Sequence, residues 1–121
     1  MSGQREDQVP LAEVRVHRGP QGAVATLVGE LDMSNADDIH QQLRAAASDA
    51  ARLVVDLSGL GFIDSAGIAV LDRLHRELAT GPTELRIAAT PDSVAARTLR
   101  LAGMDRVLPM APEAQDSETA G

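Results

Sequence analysis

Residues Arg52 to Leu78 read RLVVDLSGLGFIDSAGIAVLDRLHREL. Leu53, Val54, Val55 and Leu57 form a nearly unbroken apolar run, as expected of a central parallel strand. Asp56 interrupts it near its end. Ser58 to Ile63 carry two glycines and read as a loop. A helix then begins at Asp64 or Ser65, because Ile68, Leu71, Leu74 and Leu78 recur at three- and four-residue spacing. Thr80-Gly81-Pro82 ends it, glycine being free to turn left-handed and proline blocking continuation. A strand that feeds a helix this way places the intervening loop beyond the strand's C-terminal end, where open α/β sheets carry their functional groups. The loop delivers Ser65 to the helix start.

The rest of the chain supplies partners for this unit. Ala12 to Arg18 alternates Val14 and Val16 against Glu13, Arg15 and His17, the period of a half-buried strand. Gly19-Pro20-Gln21-Gly22 turns it into a second strand, Ala23 to Val28, apolar enough to be buried on both faces. Gly29 to Asn35 leaves the sheet. Ala36, Ile39, Leu43, Ala46 or Ala47, and Ala50 mark a helix, with Ser34 or Asn35 as N-cap and Asp37 and Asp38 in its first turn. Leu85 to Ala89 is a strand. Thr90-Pro91 opens a third helix with Val94, Thr98 and Leu101 inward, Gly103 ends it, and Val107 to Met110 is a short last strand. The order β, β, α, β, α, β, α, β predicts an α/β fold: one domain over residues 11–112, with a mixed, mostly parallel sheet, an N-terminal hairpin and about three main helices. Residues 1–10 read as a disordered lead-in and 113–121 as a flexible acidic tail.

Composition removes several function classes. The chain has 121 residues, 44% of them apolar, enough for a real core, and Phe62 is its only aromatic. No apolar run approaches the length of a membrane span, and the polar start shows no secretory signal, so a cytoplasmic protein is expected. Cysteine is absent, which excludes disulfides and thiolate metal sites. A formal charge of −7 argues against direct binding of nucleic acid or an anionic membrane. All eleven basic side chains are arginine, so any mechanism that requires lysine is excluded.

Ser65 is therefore weighed against what surrounds it. It lacks the glycine two residues earlier that a hydrolase nucleophile elbow carries. His75 on the same helix lies about 15 Å along the axis, and His17 and His40 are distant in the chain; all three read as solvated. A phosphate-binding loop or a receiver domain would need lysine, and no spaced set of metal ligands is visible. Catalysis is not expected. Ser65 could accept a phosphoryl group, which the free N–H groups of a helix start would favour. From the residues alone, that reading is evenly balanced with Ser65 being an ordinary helix-start serine.

The stretch Val55-Asp56-Leu57-Ser58 through Phe62-Ile63-Asp64-Ser65-Ala66-Gly67 resembles the signature of STAS domains, specifically bacterial anti-sigma factor antagonists. Gly29-Glu30-Leu31-Asp32 followed by Ala36 resembles the family's second motif, and Arg100-Leu101-Ala102-Gly103-Met104 its usual ending. The resemblance covers about residues 10–112. It implies a protein that binds an anti-sigma factor with a GHKL-type serine kinase domain and so frees a sigma factor. Phosphorylation at the position of Ser65 would lower that affinity, and a PP2C-type phosphatase would reverse it. Asp32 matches a family aspartate near the phosphoacceptor. ATP belongs to the kinase, so no cofactor is implied here. Many relatives carry Ser-Ser-Gly where this chain has Ser65-Ala66-Gly67, which leaves one acceptor.

The implied switch surface comprises Asp32, Ser34, Asn35, Phe62, Asp64, Ala66 and Gly67, with Asp72 and Arg73 as candidate rim contacts. Phe62 reads as core more readily than as a docking anchor, and Asp72, Arg73 and Arg76 each as part of a solvated face. Arg97, Arg100 and Arg106 form a modest basic cluster that reads as surface. The free protein is expected to be a monomer. The alternative is a STAS scaffold, a stressosome-like component or a transport-assembly module that does not act directly on an anti-sigma factor.

Overall fold

The computed structural model describes residues 11–112. Its elements are β1 (Ala12–Gly19), β2 (Gly22–Leu31), α1 (Ala36–Ala47), β3 (Arg52–Ile63), α2 (Ser65–Ala79), β4 (Glu84–Ala88), α3 (Val94–Leu101) and a 3-10 turn at Met104–Arg106. The strands form a four-stranded sheet in the order β1-β2-β3-β4. β1 and β2 are antiparallel, and the other two pairings are parallel. The expected α/β class, hairpin and three helices are present. The expectations for residues 1–10 and 113–121 lie outside the described residues.

Burial alternates along the central strands. Ala23, Ala25 and Leu27 of β2 and Leu53, Val55 and Leu57 of β3 are buried, whereas Val24 is exposed and Val54 half-buried. β2 is therefore covered on one face, not on both as its composition suggested. The helices supply the cover. α1 buries Ala36, Ile39, Leu43, Ala46 and Ala47; α2 buries Gly67, Val70, Leu71 and Leu74, while Ile68 and Leu78 are only half-buried. The core is aliphatic throughout the described residues, built on side chains such as Leu31, Leu43, Leu71 and Ile87. Among the described residues no helix is long and apolar enough to cross a membrane.

The largest departure from the sequence reading is the length of β2 and β3. Ser58–Ile63 is not a loop, and Gly29–Leu31 does not leave the sheet. Gly29 pairs with Leu60, Glu30 with Phe62 and Leu31 with Ile63, beyond register shifts at Thr26/Val28 and Gly29/Glu30. Glycine is scarce in strands, but here it serves close backbone approach. A Cβ on Gly29, whose φ is 111°, would sit 2.1 Å from the carbonyl oxygen of Leu11.

Four smaller expectations fail at the C-terminal side. α3 does not open at Thr90-Pro91; Ser93 is its N-cap, with Oγ accepting from Ala96 N at 3.1 Å. Its buried side is Ala95, Ala96 and Leu99, and Leu101 is 90% exposed. The two stripes differ by one residue, a rotation of about 100°, and the alanine side is what packs on β3. Val107–Met110 forms no strand beyond one bridge, Met110 to Ile87. Pro109, which has no N–H to donate, interrupts it. Gly103 does end its helix in the left-handed region. Gly81 does not: α2 stops at Ala79 with Thr80 as C-cap, and Gly81 keeps ordinary backbone angles.

Candidate functional site

The paired extension of β2 and β3 brings their C-terminal ends side by side, Leu31 against Ile63. Asp64 N donates to the Leu31 carbonyl at 3.2 Å. Asp64 then caps α2: Oδ1 accepts from Gly67 N at 3.0 Å, and Oδ2 accepts from Met33 N at 3.3 Å. One carboxylate thus satisfies a helix-start donor and ties down the neighbouring loop.

That loop is also bonded within itself. Asp32 Oδ1 accepts from Ser34 N at 2.9 Å and from Ser34 Oγ at 2.6 Å. Asn35 Oδ1 accepts from Asp32 N at 3.0 Å, and Asn35 Nδ2 donates to the Glu30 carbonyl at 2.8 Å. Asn35 is the N-cap residue of α1, but neither it nor Ser34 gives the helix a side-chain cap. Their polar groups are spent on the loop instead. The Ser34 hydroxyl, then its N–H, holds the Asp32 carboxyl below its ordinary range, against a small opposing effect of burial.

Ser65 is the first residue of α2 and is exposed. Asp64 occupies the N–H of Gly67 with its side chain and that of Ile68 with its carbonyl. The N–H groups of Ser65 and Ala66 have no partner among the described residues. Ala66 is half-buried against the core. Gly67 is buried for a steric reason. A Cβ there would lie 2.8 Å from Ile63 Cγ1 and 2.8 Å from Leu31 Cγ. The absence of a side chain lets α2 start directly on the ends of both strands.

Phe62 is 45% exposed, so it is not the core residue the sequence reading favoured. It lies on the continuation of β3, opposite Glu30. Met33, which the sequence reading did not single out, is 80% exposed on the adjacent loop. Nothing in the sequence marks it except its position between Asp32 and Ser34. Asp72 and Arg73 lie about 10 Å or more along α2 from Ser65. They are engaged in pairs on their own helix, Asp72 with Arg76 at 3.0 Å and Arg73 with Glu77 at 3.3 Å.

His40 was expected to be solvated and is instead buried, with Nε2 2.7 Å from Glu77 Oε1. The pair joins α1 to α2. No group of three or more potential metal-ligating side chains occurs among the described residues.

The STAS domain family model matches residues 12–117. This chain belongs to the STAS domain family. Among solved STAS structures, an anti-sigma factor antagonist from Mycobacterium paratuberculosis is 29% identical, with a TM-score of 0.73 over 90% of this chain and 92% of that one. SpoIIAA of Bacillus, an anti-sigma factor antagonist, shares the fold at 19% identity in its unphosphorylated form, with a TM-score of 0.62 over 89% of this chain and 96% of that one. Osmosensory protein A of Mycobacterium tuberculosis is 28% identical over 80 residues, which are 66% of this chain and 51% of that protein. The chain therefore spans about half the length of this curated relative. Several of its structural neighbours are described as anti-sigma factor antagonists.

Proposed function

We propose that this STAS domain is an anti-sigma factor antagonist. It binds an anti-sigma factor with a GHKL-type serine kinase domain and thereby releases a sigma factor. Phosphorylation of Ser65 switches it off, and a PP2C-type phosphatase restores it. The supporting observation is the exposed Ser65 at the start of α2, beside two unpartnered N–H groups and an adjoining loop tied to it by Asp64.

The chemistry of the switch follows from that arrangement. A phosphoryl group on Ser65 Oγ brings roughly −1.5 to −2 charge. The Ser65 and Ala66 N–H groups and the positive helix end offer it hydrogen bonds and field, so the domain stays folded. The same charge lies beside Asp64 and the ionised Asp32 loop. A partner docked over exposed Phe62 and Met33 would have to desolvate it, which costs affinity. Asp32, Ser34, Asn35, Asp64, Ala66 and Gly67 shape this surface, and Asp72 and Arg73 are its rim. SpoIIAA, which shares the fold, is known in a phosphorylated form.

The test is incubation with ATP and candidate anti-sigma kinases from the same genome. One phosphate is expected, lost in Ser65→Ala. Ser65→Ala should retain kinase binding, and Ser65→Asp or Ser65→Glu should weaken it. Phosphate mapping to another residue, or equal binding by all variants, overturns the switch. The second reading is a STAS scaffold that does not itself contact an anti-sigma factor. That reading predicts no complex between any such kinase and the unphosphorylated protein.

A further inference from the structure

The two edges of the sheet are treated differently. At β4, the Ile87 N–H donates to the Pro109 carbonyl at 2.9 Å, and the Ile87 carbonyl accepts from the Ala111 N–H at 2.7 Å. The chain covers its own edge there. β1 is the other edge, and no strand lies beyond it among the described residues. Its outward groups follow from its pairing with β2. Ala12 is opposite Gly29 and Glu13 opposite Val28, and the Glu30 N–H donates to the Leu11 carbonyl at 2.7 Å. Residues that bond to the neighbour alternate along an antiparallel ladder. Glu13, Arg15 and His17 therefore bond to β2, and Ala12, Val14 and Val16 turn their N–H and C=O groups outward. β1 contains no proline, and its register runs unbroken from Ala12 to Gly19. Two of the usual devices that keep an edge from pairing are missing.

The side chains indicate what pairs with it. On the face under the helices, Ala12 and Val14 pack at the rim of the core and Val16 is 43% exposed. On the opposite face Glu13 and Arg15 form an exposed ion pair of 3.0 Å. A two-fold axis through Val14, perpendicular to the sheet, sets β1 antiparallel to β1 of a second copy. Val14 then meets its own counterpart, Ala12 meets Val16, and Glu13 meets Arg15, the last two in both directions. Apolar and opposite-charge pairs of this kind are what stabilise a ladder. An axis through Glu13 or Arg15 would set like charges against each other. One through Val16 would set Arg15 against His17 and Val14 against Arg18. The edge is self-complementary in one register.

We infer that this chain forms a two-fold dimer in which β1 pairs with β1 of a second copy, merging two four-stranded sheets into one. The axis reverses the strands, so the ends of β3 that lead to Ser65 point in opposite directions and both stay free. The dimer is compatible with a partner at Ser65 and does not rest on one. The sequence reading expects a monomer; the uncovered edge argues for a dimer. A single strand edge is a small contact, so the dimer is weak, and its paired charges make it sensitive to salt.

Sedimentation velocity on the full chain over a range of concentrations, with amide hydrogen exchange at the same concentrations, tests this. The average mass should rise toward that of two chains as concentration rises, and less so at high salt. Protection should appear with it at Ala12, Val14 and Val16. Glu13, Arg15 and His17, already bonded to β2, should not change, and they report that the variants are folded. Glu13→Arg sets like charge against Arg15 and should weaken the dimer about tenfold or more. Glu13→Arg/Arg15→Glu restores opposite charges and should restore the dimer. A chain that stays monomeric into the millimolar range overturns the proposal. So does a dimer that Glu13→Arg leaves intact, or one that forms without new protection at Ala12, Val14 and Val16, since another surface would then be paired. Protection at those three residues that is independent of concentration also overturns it, because another segment of the same chain would then cover the edge.

Discussion

Asp64 and Met33 are 31 residues apart in the chain and joined by a hydrogen bond of 3.3 Å from the Met33 N–H to Asp64 Oδ2. The other oxygen of the same carboxylate caps α2 through Gly67 N. The serine-bearing helix start and the Asp32 loop are therefore one mechanical unit. Asp64→Ala removes both contacts and should cost about 1–2 kcal/mol. Asp64→Asn keeps a good capping residue and should cost less. Urea denaturation measures both, and hydrogen exchange should show faster opening at Met33 in Asp64→Ala. Unchanged exchange there would mean the two loops are held by something else.

Gly67→Ala tests whether the close seating of α2 matters. Alanine gains about 1 kcal/mol of helix propensity over glycine. The new Cβ meets Leu31 Cγ and Ile63 Cγ1, each at 2.8 Å, and neither is the free end of a flexible chain. Overpacking of that sort costs about 1–3 kcal/mol, so a net loss of about 1 kcal/mol is expected. Gly61→Ala is the control, because the nearest atom to its Cβ is 3.8 Å away. If Gly67→Ala is as stable as Gly61→Ala, the seating is looser than the distances say.

Glu77 predicts a pH dependence. Burial pushes its carboxyl up. The hydrogen bond from His40, the charges of His40 and Arg44 and the bond from Arg73 outweigh this and hold it below its ordinary value of 4.5. A carboxyl depressed in the folded state stabilises the fold above that ordinary value, and the contribution is lost as pH falls below 4.5 through the folded value. Glu77→Gln should therefore be less stable than the parent at pH 7, with the gap closing in acid. Thermal melts from neutral pH into acid measure the gap. A constant difference across that range would show that packing, not charge, is what Glu77 contributes.

Phe62 and Met33 separate folding from binding. Both are exposed, so Phe62→Ser and Met33→Ser should change stability by no more than about 0.5 kcal/mol. If they anchor the partner, each should weaken the complex by about 1–2 kcal/mol or more. Calorimetric titration against the kinase measures this. Unchanged affinity in the double variant would place the docking surface elsewhere.

Much of this architecture was readable in the chain. The hairpin turn at Gly19–Gly22, the apolar stripe of α1 and the start of α2 after Asp64 all rest on local chemistry: turn residues, helical spacing and an aspartate cap. The nearness of Asp64, Ser65 and Gly67 is likewise a matter of sequence. So is the acidic first turn of α1, where Asp37 and Asp38 meet unpaired N–H groups.

What remained hidden depends on contacts between distant residues. Ser58–Ile63 looks like a loop until Gly29–Leu31 is seen beside it, because a strand with two glycines is held by its partner and not by propensity. His40 is buried because Glu77, 37 residues away, meets it across two helices. Leu101 is exposed because α3 turns Ala95, Ala96 and Leu99 to the core, a stripe one residue out of step with Val94, Thr98 and Leu101. The sequence alone determined the class of fold and the serine delivered to a helix start. Only the tertiary structure decided that exposed Met33 is bonded to Asp64 beside that serine, since strand pairing carries both β2 and β3 out to the same end of the sheet.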